Sequence, residues 1–97
     1  MSAKIIAEFH VKPEQMDEFK KLLVEILPGT RGFAGCIQLE VFEAEEASIL
    51  FAVSEWDSHD CYDRYLEFRA GDGTVEKLTP YLRDGGFQPY KVVSTEI

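Results

Sequence analysis

Ninety-seven residues suffice for one domain and leave no room for a second, so residues 1–97 read as a single unit. Hydrophobic residues at 45% and charged residues at 29% exclude a disordered chain, and no apolar run approaches the ~20 residues of a membrane span. A formal net charge of −8 with no basic stripe argues against nucleic acid as a partner, and an anionic ligand would need a local cluster drawn from Arg31, Arg64, Arg69 and Arg83.

The chain enters a strand pattern directly from Met1-Ser2-Ala3-Lys4, without a signal-peptide region, so a cytoplasmic location is expected. Ala3, Ile5, Ala7, Phe9 and Val11 alternate with Lys4, Ile6, Glu8, His10 and Lys12, which predicts a first strand over 3–12. Pro13 suits the first position of a helix, with Glu14 and Asp17 placed well against its N-terminal dipole. Met16, Phe19, Leu22, Leu23, Ile26 and Leu27 form its apolar stripe, and Pro28-Gly29 reads as its end. Residues 36–43 alternate again, the acidic 43–46 segment reads as a hairpin loop, and Ser48 to Trp56 reads as a third strand, apolar on both faces.

Asp57 or Ser58 caps a second helix whose stripe is Tyr62, Tyr65, Leu66 and Arg69. Gly71-Asp72-Gly73 breaks it. A shorter helix follows with Val75, Leu78 and Leu82, closed by Gly85-Gly86, and Phe87 to Glu96 reads as the last strand. The order is βαββαβ with an extra short helix, an α+β ferredoxin-like pattern on a four-stranded antiparallel sheet. Two helices cover only one face of such a sheet. Strands two and three are apolar on both faces and the first adds Ile6, so the open face predicts a partner, most simply a second copy in a homodimer.

Cys36 and Cys61 lie in no CxxC pair, and His10 and His59 in no His-x-His, so no zinc signature arises and no metal is expected. Two buried free thiols in a reducing compartment are the simplest reading.

The opening Ile5-Ile6-Ala7-Glu8-Phe9-His10-Val11-Lys12-Pro13, the helix to Leu27, Gly35-Cys36 and Ser54-Glu55-Trp56-Asp57-Ser58 resemble the antibiotic biosynthesis monooxygenase (ABM) domain. The resemblance implies a dimeric α+β barrel formed by sheet-to-sheet packing. It also implies a pocket between sheet and helices, as in members that oxygenate anthrones and quinols without a cofactor, degrade haem or act on small signalling molecules. Trp56 matches the tryptophan ending strand three. Haem degraders carry an Asn on strand one and a later His; this chain has Phe9 there and no His after His59, which argues against haem chemistry. Many quinol-oxidising members carry a His where this chain has Tyr65, and a Ser-Pro-His segment near its Phe68-Arg69-Ala70.

Trp56 is either a core filler or a ring for a flat aromatic ligand to stack on. Tyr62, Tyr65 and Arg69 share one helix face and are either snorkelling side chains or donors to a phenolate, enolate or peroxide. His10 shares its face with Ile6 and Glu8 and is expected to pair with an acid at the dimer interface; His59 is expected in a solvated first turn. The expectation is a cofactor-independent monooxygenase for a small aromatic, anthrone or quinol substrate. Trp56, Tyr65 and Arg69 would be its catalytic residues, and Phe9, Tyr62, Leu66 and Leu78 its substrate contacts. The alternative is a non-catalytic small-molecule-binding or stress-related dimer of the same fold.

Overall fold

Strict alternation makes the first element a strand, and in the computed structural model, which describes residues 2–97, Ala3–Val11 is β1 at the centre of the sheet. It is followed by α1 (Met16–Arg31), β2 (Cys36–Ala44), β3 (Ile49–Trp56), α2 (His59–Gly71), α3 (Thr74–Leu78) and β4 (Leu82–Val92), with short 3₁₀ turns at Pro13–Gln15, Glu45–Ala47 and Thr79–Tyr81. The strands form one antiparallel sheet of order β2-β3-β1-β4. This is the ferredoxin-like arrangement expected from the element order.

One face of the sheet carries the core. Ile5, Ala7, Phe9 and Val11 of β1 lie beside Leu50, Ala52 and Trp56 of β3, all buried. Phe19 and Leu23 of α1 pack on the Phe9 end, and Cys61 and Tyr62 of α2 pack on the Trp56 end. Burying a side chain of this size removes about 2–3 kcal/mol of unfavourable apolar hydration, and the α1 stripe alone contributes several such groups. The opposite face presents Ile6, Ile49, Phe51 and Val53 half-buried, with Phe42 49% and Tyr90 48% exposed. His10 Nε2 lies 2.9 Å from Glu8 Oε1 on this same face.

Four local expectations need correction. α1 does not stop at Pro28-Gly29 but runs through both to Arg31. Pro28 and Val24 lie on the solvent side, where water can take the carbonyl that proline leaves unbonded. Leu82 is the first residue of β4, not part of a helix, and pairs with Val11. Gly85-Gly86 lies inside that strand, at positive φ, beside a register shift between Phe9 and Val11, and the strand ends at Val92. A second register shift, between Cys36 and Gln38, puts Cys36 opposite Trp56 on the core side, although alternation alone places it with Gln38.

Gly35 joins α1 to β2 at φ +94°, and a Cβ there would lie 2.6 Å from Cys61 Sγ and 2.7 Å from Cys61 Cβ. Its carbonyl accepts from Asp57 N–H at 2.8 Å, so this glycine seats the start of α2 against the sheet. Gly35→Ala is therefore expected to lower stability by more than about 2 kcal/mol, through left-handed backbone strain plus overpacking. Gly71→Ala, with nothing within 4 Å, is expected to be neutral or to stabilise by up to about 1 kcal/mol. Urea unfolding midpoints of the two variants measure the contrast.

Candidate functional site

Between the helices and the core face of the sheet lies a cavity of about 140 Å³. Its walls are predominantly apolar: Phe9 and Phe87 from the sheet, Leu23 and Leu27 from α1, Leu66 from α2, Val75 and Leu78 from α3. All seven residues singled out from sequence (Phe9, Trp56, Tyr62, Tyr65, Leu66, Arg69 and Leu78) line it. α2 delivers four of them because Tyr62, Tyr65, Leu66 and Arg69 follow i, i+3, i+4, i+7 spacing, and the Ser58 side chain caps that helix by accepting from Cys61 N–H at 3.2 Å.

Trp56 is fully buried, and its Nε1–H donates to Ser54 Oγ at 2.9 Å. Its ring centroid stands 5.3 Å from Tyr65 and 5.5 Å from Tyr62, and Phe33 closes the cluster 5.5 Å from Tyr65. These tilted and edge-to-face contacts make one end of the cavity an aromatic wall.

Arg69 does not snorkel; its side chain is only 12% exposed. Nε donates to Tyr65 Oη at 3.0 Å, Nη1 to Asp72 Oδ2 at 3.0 Å and Thr74 Oγ1 at 3.3 Å, and Nη2 to the Ile26 carbonyl at 2.8 Å and Thr30 Oγ1 at 3.3 Å. Every N–H of the guanidinium is thereby engaged inside the protein. Hydrogen bonds from the side chain and then the backbone N–H of Thr74, and then Arg69, hold the Asp72 carboxyl below the usual range. Tyr65 Oη also lies 2.6 Å from Thr30 Oγ1, a short O–H···O bond that either hydroxyl can donate. Burial, followed by the nearby Tyr65 and Asp63, pushes the Tyr62 phenol upward, so it stays protonated.

Of the four arginines weighed as an anion cluster, only Arg69 lines the cavity. Arg31 donates to the Leu39 carbonyl, Arg64 to Cys61 Sγ, and Arg83 to the Val11, Ala47 and Ser48 carbonyls. Both cysteines are free, but only Cys61 is buried; Cys36 is half-buried, and burial raises its thiol. His59 is half-buried rather than solvated, with Nε2 buried and unpaired among the described residues. Among the described residues no three His, Cys, Asp or Glu side chains converge, and no helix is long and apolar enough to cross a membrane.

Sequence reasoning missed Thr30, Ser54 and Thr74, the buried polar residues, all of which line the cavity. Thr30 lies seven positions after Leu23 and continues the α1 stripe, a signal that reading Pro28-Gly29 as a stop conceals.

This fold has counterparts. The family model of the antibiotic biosynthesis monooxygenases matches residues 2–70, and the chain belongs to that family. No curated protein matches it. Among solved structures, a conserved protein from Methanosarcina mazei Go1 is 25% identical, with 98% of this chain and 94% of that one covered and a TM-score of 0.78. An antibiotic biosynthesis monooxygenase is 20% identical over 98% and 99%, at a TM-score of 0.79. Rv0793 from Mycobacterium tuberculosis is 20% identical over 97% and 95%, at 0.70. The two at 20% identity share the fold.

The Pro-Gly pair inside α1 also has a role at the site. A Cβ on Gly29 would lie 2.9 Å from Arg69 Nη2, so the missing side chain lets the guanidinium reach the Ile26 carbonyl. Gly29→Ala is expected to destabilise the native protein by about 1 kcal/mol, as buried charge-assisted hydrogen bonds distort. In an Arg69→Met background the same change is expected to stabilise by up to about 1 kcal/mol, the ordinary helix preference of alanine. A double-mutant cycle of unfolding free energies reads this reversal of sign.

Proposed function

We propose that this protein is a cofactor-independent monooxygenase for a small aromatic, anthrone or quinol substrate, held in the cavity between α2 and the sheet. The observation that carries this reading is the Tyr65–Thr30–Arg69 hydrogen-bonded chain set into an otherwise apolar, aromatic-walled cavity. In this reading Trp56 stacks on the substrate, Phe9 forms an apolar floor, and Tyr62, Leu66 and Leu78 complete the contacts. Tyr65 Oη donates to the substrate oxygen as its proton leaves to solvent, and the Arg69 Nε–H bond to Tyr65 Oη strengthens that donor toward the developing phenolate. Arg69 acts as a positioning group, since its N–H donors are engaged elsewhere.

The deprotonated ring is itself the reductant. It supplies the electrons that reduce dioxygen: one oxygen atom bonds to ring carbon, and the other leaves as water with two hydrogens from the substrate. The apolar walls exclude bulk water and hold the ring in place during that transfer. Family membership supports oxygenase chemistry. The reducing cytoplasm is the proposed location, where Cys36 and Cys61 remain thiols.

We also propose that the protein works as a homodimer through the open sheet face, where Ile6, Phe51, Val53, Phe42 and Tyr90 form a contiguous apolar patch. Engagement of every Arg69 N–H favours one alternative, a non-catalytic binding protein of the same fold.

Oxygen consumption against reduced quinols and anthrones, with no metal or flavin added, decides between these readings. Saturable uptake with at least one member of the panel is expected, lowered about 10²-fold or more by Tyr65→Phe and weakened by Trp56→Phe. Substrate binding without uptake above the uncatalysed rate would leave the binding protein. Light scattering tests the assembly: the native protein is expected at twice its 11.1-kDa chain mass, and Phe51→Lys at the single mass. A native monomer would sink the dimer.

A further inference from the structure

Within that reading, and resting on it, the cavity's dimensions, its charge and one hydroxyl without a protein partner among the described residues narrow the ligand. We infer that the cavity selects an uncharged, single-ring aromatic bearing a hydroxyl or carbonyl group, and that Tyr62 is the residue that recognises that group.

Size is the first constraint. An apolar protein cavity of about 150 Å³ holds one benzene molecule, and this one measures about 140 Å³. A single ring fills it; a fused second or third ring would have to displace the closely packed side chains of α2 or α3, at the cost that overpacking carries.

Charge is the second. Arg69 is the cation among the lining residues, and its N–H groups all point to Tyr65, Asp72, Thr74, Ile26 and Thr30. A ligand carboxylate would enter an apolar space with no free counter-ion, losing its hydration without replacement. A neutral phenol or quinol meets no such penalty.

The polar handle is the third. The other polar side chains on the wall are already hydrogen-bonded within the protein, from Ser54 with Trp56 to Thr79 with the Val75 carbonyl. Tyr62 differs. It is 5% exposed and lines the cavity, yet its hydroxyl has no hydrogen-bond partner among the described residues. That hydroxyl is not sealed from water, so a ligand oxygen in the cavity exchanges a hydration bond for a direct one, a modest net gain.

The test is anaerobic isothermal titration calorimetry, which reads binding without turnover, with phenol, toluene, benzoate and 1-naphthol as probes. Phenol is expected to bind best, with benzoate and 1-naphthol about tenfold weaker or more. Tyr62→Phe, which keeps the ring packing, is expected to lower phenol affinity about three- to tenfold, the loss of one hydrogen bond, and to leave toluene unchanged. Binding of 1-naphthol or benzoate as tight as phenol overturns the inference, as does an equal effect of Tyr62→Phe on phenol and toluene, or no binding by any probe. The outcome is separable from the oxygenase reading. Selective phenol binding with no oxygen uptake leaves the ligand class standing and removes the chemistry, whereas uptake with the larger rings favoured does the reverse.

Discussion

The guanidinium of Arg69 stands where the last turns of α1, the end of α2 and the start of α3 meet, and it bonds to all three. A cation is seldom placed so deep without full satisfaction, because each unpaired N–H would lose its hydration uncompensated. Here satisfaction is complete, and its geometric consequence is large. The fork fixes the spacing of three helical segments above the sheet. Apolar side chains left to themselves tend to close an internal void, since every unfilled surface forfeits dispersion contacts. A rigid polar junction at the rim resists that closure, so a cavity persists in a chain of this length.

The same arrangement bears on the proposed chemistry. Because Arg69 is engaged with the protein, the charge it offers reaches the cavity through Tyr65, whose hydroxyl it contacts at 3.0 Å. Tyr65 and Thr30 then form a short hydrogen-bonded pair at an otherwise apolar wall, and Trp56 is held in orientation by Ser54. Such a site suits a substrate that brings its own electrons and needs only to be oriented, deprotonated and kept from water. The four-stranded sheet has two distinct faces: the helix-covered one encloses the cavity, and the open one carries the apolar patch of Ile6, Phe51, Val53, Phe42 and Tyr90.

The seven cavity-lining residues could be named from sequence because each is large and lies on a regular period, either the alternation of β1 and β3 or the helical spacing of α2 and α3. The fold was legible for the same reason. Thr30, Ser54 and Thr74 were not, because a small hydroxyl residue in a periodic stripe looks like any other polar position until its partner is known. The Pro28-Gly29 pair misled more directly. Its local chemistry signals a stop, yet the helix continues because the freed carbonyl faces solvent and because glycine makes room for Arg69, forty positions later.

What the sequence determined by itself was therefore the periodic part: an α+β fold, its element order, the core stripe of each element, the unpaired apolar sheet face, and which bulky side chains share α2. These follow from patterns within a dozen residues, where backbone geometry dictates direction. Only the tertiary structure decided that Arg69 is a saturated junction rather than a free cation, that Cys36 turns to the core across a bulge, that β4 begins at Leu82, and that the Tyr62 hydroxyl makes no hydrogen bond among the described residues. Each of these depends on contacts between segments remote in the chain, and long-range packing can override a local preference worth about 1 kcal/mol.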